Sequence, residues 1–259
     1  MTRDLTDNPG RSAVLRIIVT GSHGFIGSAA VAELERRGHE VWRLTRGTPH
    51  EREVAWNPSR GAVDAARLEG FDAVVHLAGE PLTGVRWTAA KKRRILESRV
   101  NGTLLLVDTL ATLKQRPQAF VAASAIGIYG ERHAELLSES AATGEEFLAE
   151  TVQAWEAETA RAATLGTREV RLRFGVVLGA NGGALRVFAR TARLGLGTVF
   201  GSGKQIVSWV ALSDAARAIA HAVETSSVEG PTRASMRRCG TNWAAGSPTP
   251  SRARSPRAC

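Results

Sequence analysis

Apolar and polar positions along the 259-residue chain follow two rhythms in turn, short continuous apolar runs and longer stretches with helical spacing. Residues 16–20 (RIIVT) form an apolar run closed by glycine, the mark of a buried parallel strand. Residues 25–37 then space Ile26, Ala30, Val31 and Leu34 at helical intervals and stop at Gly38. Strands are expected at 40–44, 54–56 and 73–77. A long helix over 88–114 is ended by Pro117, before a strand at 119–123. Residues 145–165 read as helix, 169–174 as strand, 184–194 as helix and 206–210 as strand. Residues 213–224 close the series as a helix capped by Ser213. Strands alternating with helices of this length predict an α/β fold built on a doubly wound parallel sheet. Residues 1–15, polar and broken at Pro9 and Gly10, read as a flexible lead-in to one folded unit over 16–230.

Beyond Gly230 both rhythms stop. Residues 231–259 are rich in Arg, Ser, Pro and Ala, and the expectation is a disordered basic tail that does not pack. Either natural disorder or a shifted reading frame would produce such a segment. Its six arginines, unaccompanied by acids, also account for most of the net charge of +9 and leave +3 for the rest. The charge is thus weak evidence for nucleic acid, which is not an expected partner. Both cysteines, Cys239 and Cys259, lie in this segment, so residues 1–230 hold no disulfide and no thiol nucleophile. No His, Cys and carboxylate cluster has zinc-like spacing, and no metal is expected. No apolar run reaches the ~18 residues of a membrane span. Asp4 and Asp7 interrupt any signal-like start, so a cytoplasmic protein without a membrane partner is the expectation.

The segment TGSHGFIG sets Gly21, Gly24 and Gly27 three residues apart, between the first strand and the first helix. Glycine suits each place for its own reason. The first allows a tight turn, the second lets backbone approach a pyrophosphate, and the third lets helix and strand pack closely. The helix start adds N–H donors and a positive dipole end. Gly21, Ser22, His23, Gly24, Phe25, Ile26 and Gly27 are therefore expected to bind a dinucleotide; the competing reading is a packing turn. An NAD site usually presents an acid at the end of the second strand to the ribose 2′-hydroxyl. Here HEVWRLTRGT ends on Thr45 and Arg46, with no acid before Glu51. A guanidinium suits a 2′-phosphate. The expected cofactor is NADP(H), with NAD(H) less favoured and Arg46 as its reader unless Arg46 is only a solvated surface residue.

Taken in order, TGSHGFIG, DAVVHLAGEPL, SRVNGT, SAIGIYG, EFLAETVQAWEAE, VRLRFGVVLG and GSGKQIVSWVALSDAARAIA resemble the atypical extended short-chain dehydrogenases/reductases. The nearest likeness is to their sugar-nucleotide epimerase-like family, from residue 16 to about 230. The resemblance implies a Rossmann fold of the extended type and a preference for NADP(H). It also implies a place for His76, Leu77, Ala78 and Gly79 beside the nicotinamide-side ribose and the diphosphate. It implies no firm substrate. Two features depart from the pattern. The wider superfamily carries a Tyr-x-x-x-Lys pair, in which lysine lowers the tyrosine pKa and the tyrosine relays the proton accompanying hydride transfer. The corresponding stretch here, EEFLAETVQAWEAE, has neither residue. The family also continues past EGP into a further strand and a small C-terminal domain, where this chain enters its arginine-rich segment.

Ser124 ends the strand over 119–123, where the superfamily places a hydroxyl facing the substrate oxygen or the tyrosine; a strand-end serine can equally satisfy a turn. Tyr129, the only tyrosine, follows at the carboxyl edge of the sheet, where ligands bind in such folds. Three roles stay open for it: catalytic acid or base, cleft wall, or packing. Ser124 and Tyr129 are the candidate catalytic residues. His133 would tune Tyr129 only across a helical turn, and Gly130 argues against one. Arg86, Trp87 and Arg99 either line the substrate side, where arginine suits a phosphorylated or carboxylated ligand, or serve as structural or solvent-facing residues. The run of Lys91, Lys92, Arg93 and Arg94 reads as a solvated helix face. Trp155 and Trp209 read as packing aromatics, while Glu146, Phe147 and Asp214 match the family pattern without a chemical role. The expected function is that of an NADP(H)-dependent oxidoreductase or epimerase-like enzyme acting on a small sugar- or nucleotide-derived substrate. The alternative is a catalytically weak NADP(H)-binding sensor or regulator. The oligomeric state stays open.

Overall fold

In the computed structural model, which describes residues 13–82, 87–133, 135–193, 206–234 and 236–240, successive strand residues feed two separate cores. The elements in chain order are β1 (Arg16–Thr20), α1 (Phe25–Arg36), β2 (Glu40–Thr45), β3 (Glu53–Asn57), β4 (Ala62–Val63), β5 (Ala73–His76), α2 (Ala89–Thr112) and β6 (Ala119–Ala125). They continue with α3 (Phe147–Ala160), β7 (Arg168–Phe174), β8 (Val176–Gly179), α4 (Gly183–Arg193), β9 (Ile206–Ala211), α5 (Leu212–Glu224), β10 (Gly230–Ala234) and β11 (Met236–Gly240). Ile17 and Val19 pack with Ala30, Val31 and Leu34 of α1 and Ile219 of α5. Ile18, one residue out of step, packs on the opposite face with Leu106, Val107 and Leu110 of α2. Side chains alternate across a strand, so a strand buried on both faces must read as a continuous apolar run.

The main sheet has the order β10-β7-β6-β5-β1-β2-β3-β4, parallel throughout except for the antiparallel edge strand β4. The winding reverses between β1 and β5, and the carboxyl ends of these two strands open the crevice in which such sheets bind ligands. The fold is a Rossmann-type α/β sheet of the extended dehydrogenase kind, as expected.

Several local expectations are corrected. Ser213 does not cap α5: the cap position is Ala211, without a side-chain bond, and Asp214 supplies the negative charge in the first turn. The helix expected over 145–165 is α3 followed by a 3-10 turn over Arg161–Leu165, closed by Gly166 at φ +77°. β8 was not anticipated; it joins β9 and β11 in a second, three-stranded sheet. Gly175 makes this possible, because a Cβ there would stand 2.6 Å from the Ser208 carbonyl oxygen.

The boundary at 230 also moves. β10 pairs in parallel with β7 from Gly230 to Ala234, and the backbone of 236–240 pairs with β9. Strand addition needs only backbone donors and acceptors, so GPTRA joins the sheet without any apolar period. Its proline is tolerated because the strand lies at an edge. The expectations for 1–12 and 241–259, including a shifted frame, lie outside the described residues.

Candidate functional site

The glycine loop is shaped by contacts that a Cβ would fill. Gly21 adopts φ +65°, and a Cβ on it would meet the Leu77 carbonyl at 2.8 Å and the Ala78 nitrogen at 2.9 Å. A Cβ on Gly27 would stand 2.0 Å from the Gly21 carbonyl oxygen. Gly24, which is the α1 cap residue, donates its N–H to that same oxygen at 2.9 Å and offers no side-chain cap. The next N–H groups, on Phe25, Ile26 and Gly27, lie in the helix's first turn, where no intrahelical acceptor exists. A bare backbone cradle with outward donors fits a dinucleotide diphosphate. The Phe25 ring turns elsewhere, into a niche where Cβ atoms on Gly179, Gly182 and Gly183 would stand 2.9, 2.5 and 2.8 Å from it. Phe25 thereby ties the loop to the turn between β8 and α4. Ile26 packs against the α1-side core, and Ser22 is buried with its hydroxyl 3.4 Å from His23 Nδ1.

Parallel pairing of Thr20 with Leu44 brings the end of β2 out beside the loop. Arg46 lies just beyond it, exposed, and no hydrogen bond or ion pair engages it among the described residues. No acid follows Arg46 before Glu51. The carboxylate that reaches the loop is Glu53 of β3, 4.0 Å from His23 and bonded to the His50 N–H at 3.0 Å.

Behind the loop, His76 organises the ends of β1 and β5. Thr20 Oγ1 accepts the N–H groups of Leu77 and Ala78 at 3.0 and 3.1 Å and lies 2.7 Å from His76 Nδ1. His76 Nε2 lies 3.0 Å from Thr103 Oγ1, which donates to the Arg99 carbonyl at 2.7 Å. One proton arrangement satisfies every member: Thr20 donates to Nδ1, and Nε2–H donates to Thr103. The ring is neutral in this arrangement. Complete burial, with a smaller effect of Arg99, holds its pKa down at about 3. Leu77 and Ala78 are thus set against Gly21 by a relay anchored in α2. The sequence hinted at His76 through HLAG but gave no sign of Thr20 and Thr103 as its partners.

Ser124 and Tyr129 are brought together by two residues that had not been singled out for chemistry. Ser124 Oγ donates to Glu156 Oε1 at 2.5 Å. Arg173 grips the same carboxylate, Nε to Oε1 and Nη2 to Oε2, both at 2.7 Å. Its Nη1 donates to the Tyr129 hydroxyl at 2.8 Å and to the Glu139 carbonyl at 2.7 Å. All four residues are 6% exposed or less. The Glu156 bond raises the Arg173 pKa further above its ordinary value, so the guanidinium stays charged at any physiological pH. The Tyr129 ring packs with Ile128 and Val152. The one available signal was the charge in REVRLRF, a strand otherwise patterned for burial.

His133 does not approach this network; it turns outward at φ +47° with Glu131 as its neighbour. Arg99 lies against Gly79, where a Cβ would be 3.2 Å from the guanidinium carbon, and stacks over Trp155 at 5.3 Å. Trp87 and Lys92 both flank the Phe147 ring. Arg86 lies outside the described residues. Among the described residues no group of three or more His, Cys, Asp or Glu could hold a metal, and no helix is long and apolar enough to cross a membrane.

Comparison with known proteins agrees with the fold. The NAD dependent epimerase/dehydratase family profile matches residues 17–234. An epimerase family protein of Mycobacterium leprae is 36% identical over 216 residues, covering 83% of this chain and 70% of its own. The crystal structure of a nucleoside-diphosphate sugar epimerase from Corynebacterium glutamicum superposes with a TM-score of 0.79 at 34% identity. That match covers 88% of this chain and 48% of the larger protein. Human epimerase family protein SDR39U1, crystallised with NADPH, gives a TM-score of 0.75 at 34% identity, covering 85% of this chain and 73% of its own.

Proposed function

This chain belongs to the NAD dependent epimerase/dehydratase family, and on that premise we propose that it binds NADP(H) and acts on a small sugar- or nucleotide-derived substrate as an epimerase-like oxidoreductase. The observation that carries the cofactor choice is the β1–β2 register, which brings the exposed Arg46 out beside the Gly21–Gly27 cradle. A guanidinium there reads a 2′-phosphate, and the human relative crystallised with NADPH supports the same choice. Bound nicotinamide supplies or accepts hydride. The chain's own part is to hold it: the cradle takes the diphosphate, and the His76 relay sets Leu77 and Ala78 against the loop. Ser124 is the proposed contact to a substrate oxygen. Its hydrogen is committed to Glu156, so it offers lone pairs to a hydroxyl donor. Tyr129 supports it through Arg173 and is the remaining candidate acid.

A second reading is favoured by α3, which has neither tyrosine nor lysine. On it the protein binds NADP(H) as a sensor and turns over slowly or not at all. Titration of NADPH and NADH into wild type, Arg46→Ala and Gly24→Asp tests the cofactor assignment. Arg46→Ala should lose about 10- to 100-fold in NADPH affinity and nothing in NADH affinity. Equal losses for both would sink the assignment. NADPH consumption with a panel of nucleotide sugars, against the Gly24→Asp background, separates enzyme from sensor.

A further inference from the structure

Arg99 is a half-buried cation without a carboxylate. Its Nη1 donates to the carbonyls of Glu80 and Ile95, both at 3.1 Å, while Nε and Nη2 have no acceptor among the described residues. The nearby Glu80 carboxylate is already engaged, by Lys91 at 2.7 Å and Arg94 at 3.6 Å. Burial accordingly pulls the Arg99 pKa below its ordinary value. Beneath the guanidinium lies Trp155, whose Nε1 is the one buried side-chain nitrogen or oxygen without a partner among the described residues. Leaving a buried donor unmade costs about 1–3 kcal/mol, so an acceptor that reaches it is favoured. The two stacked side chains therefore both carry unused donors, and Arg99 lies against the exposed Gly79 of the loop after β5. Lys91, Lys92, Arg93 and Arg94 on the first turns of α2 add a positive approach, offset by Glu80 and Glu97.

We propose that Arg99 and Trp155 form an oxyanion site that receives the carboxylate or phosphate of the substrate at the edge of the cofactor cradle. A planar guanidinium with two open N–H directions matches either group. The aromatic face holds it in place. The inference rests on residues 21–27 and 77–79 being the cofactor cradle, and its test reads the two apart.

Wild type, Arg99→Ala, Arg99→Lys and Trp155→Phe are titrated calorimetrically with inorganic phosphate and with malonate, after saturation with NADPH. Wild type should bind at least one of the two with a dissociation constant of about 1 mM. Arg99→Ala and Trp155→Phe should each weaken it about tenfold or more, with NADPH affinity unchanged. Arg99→Lys, which keeps charge and packing but not the fork, should fall between. The preferred anion names the group that the substrate bears. Anion binding that is absent in wild type, or unchanged in Arg99→Ala and Arg99→Lys, overturns the proposal. So does a loss of NADPH affinity in the Arg99 variants, which would make Arg99 part of the cofactor site. Failure of wild type to bind NADPH strikes the cradle reading instead.

Discussion

Arg173 and Glu156, seventeen residues apart on β7 and α3, meet in a two-point bond with both contacts at 2.7 Å. Breaking one side of a buried pair leaves an uncompensated charge, at a cost of about 3–5 kcal/mol. Arg173→Ala and Glu156→Ala are each expected to lose that much in urea unfolding. Arg173→Met combined with Glu156→Leu should lose clearly less than the sum of the single changes. Strict additivity would show that the two side chains do not depend on each other.

Tyr129→Phe removes one of the two acceptors of Arg173 Nη1 while keeping the ring packed on Val152. The expected loss is about 1–2 kcal/mol of stability with NADPH affinity unchanged. Turnover decides its role. A variant that binds NADPH normally and consumes none would make Tyr129 the proton donor, whereas full activity would reduce it to a support for Arg173.

The neutral His76 makes stability depend on pH. Its folded pKa of about 3 lies below the ordinary 6.5, so the unfolded chain takes up a proton first as the pH falls. Its contribution is complete above 6.5 and declines toward 3. Between pH 7 and 5 wild type should lose about 2 kcal/mol more than His76→Gln in urea titrations. Identical pH profiles would refute the buried neutral ring.

Gly27→Ala forces a methyl to 2.0 Å from the Gly21 carbonyl oxygen, whereas Gly127→Ala meets nothing within 4 Å. The first should abolish NADPH binding at concentrations that saturate wild type and cost about 1–3 kcal/mol of stability. The second should leave both unchanged, as read by fluorescence titration and thermal melting.

The sequence alone determined the local features of this protein. RIIVT, followed by TGSHGFIG and a helical period, specifies a strand, a tight turn and a helix start from neighbouring residues, the frame of the proposed dinucleotide cradle. The position of Arg46 beside the loop was legible for the same reason, since parallel strands of similar length end side by side. Ser124 and Tyr129 were legible as positions, through their place after a strand. Tertiary structure decided what those positions do. Glu156, Arg173 and Thr103 are ordinary polar residues on their own elements, and only the packing of α3 and α2 against the sheet chooses their partners. β8 and β10 were likewise missed, because an edge or short strand is defined by the backbone it pairs with rather than by its own apolar period. Burial completes the division: a charge or hydroxyl is inexpensive in water, and its removal from water together with a specific partner turns it into part of a network.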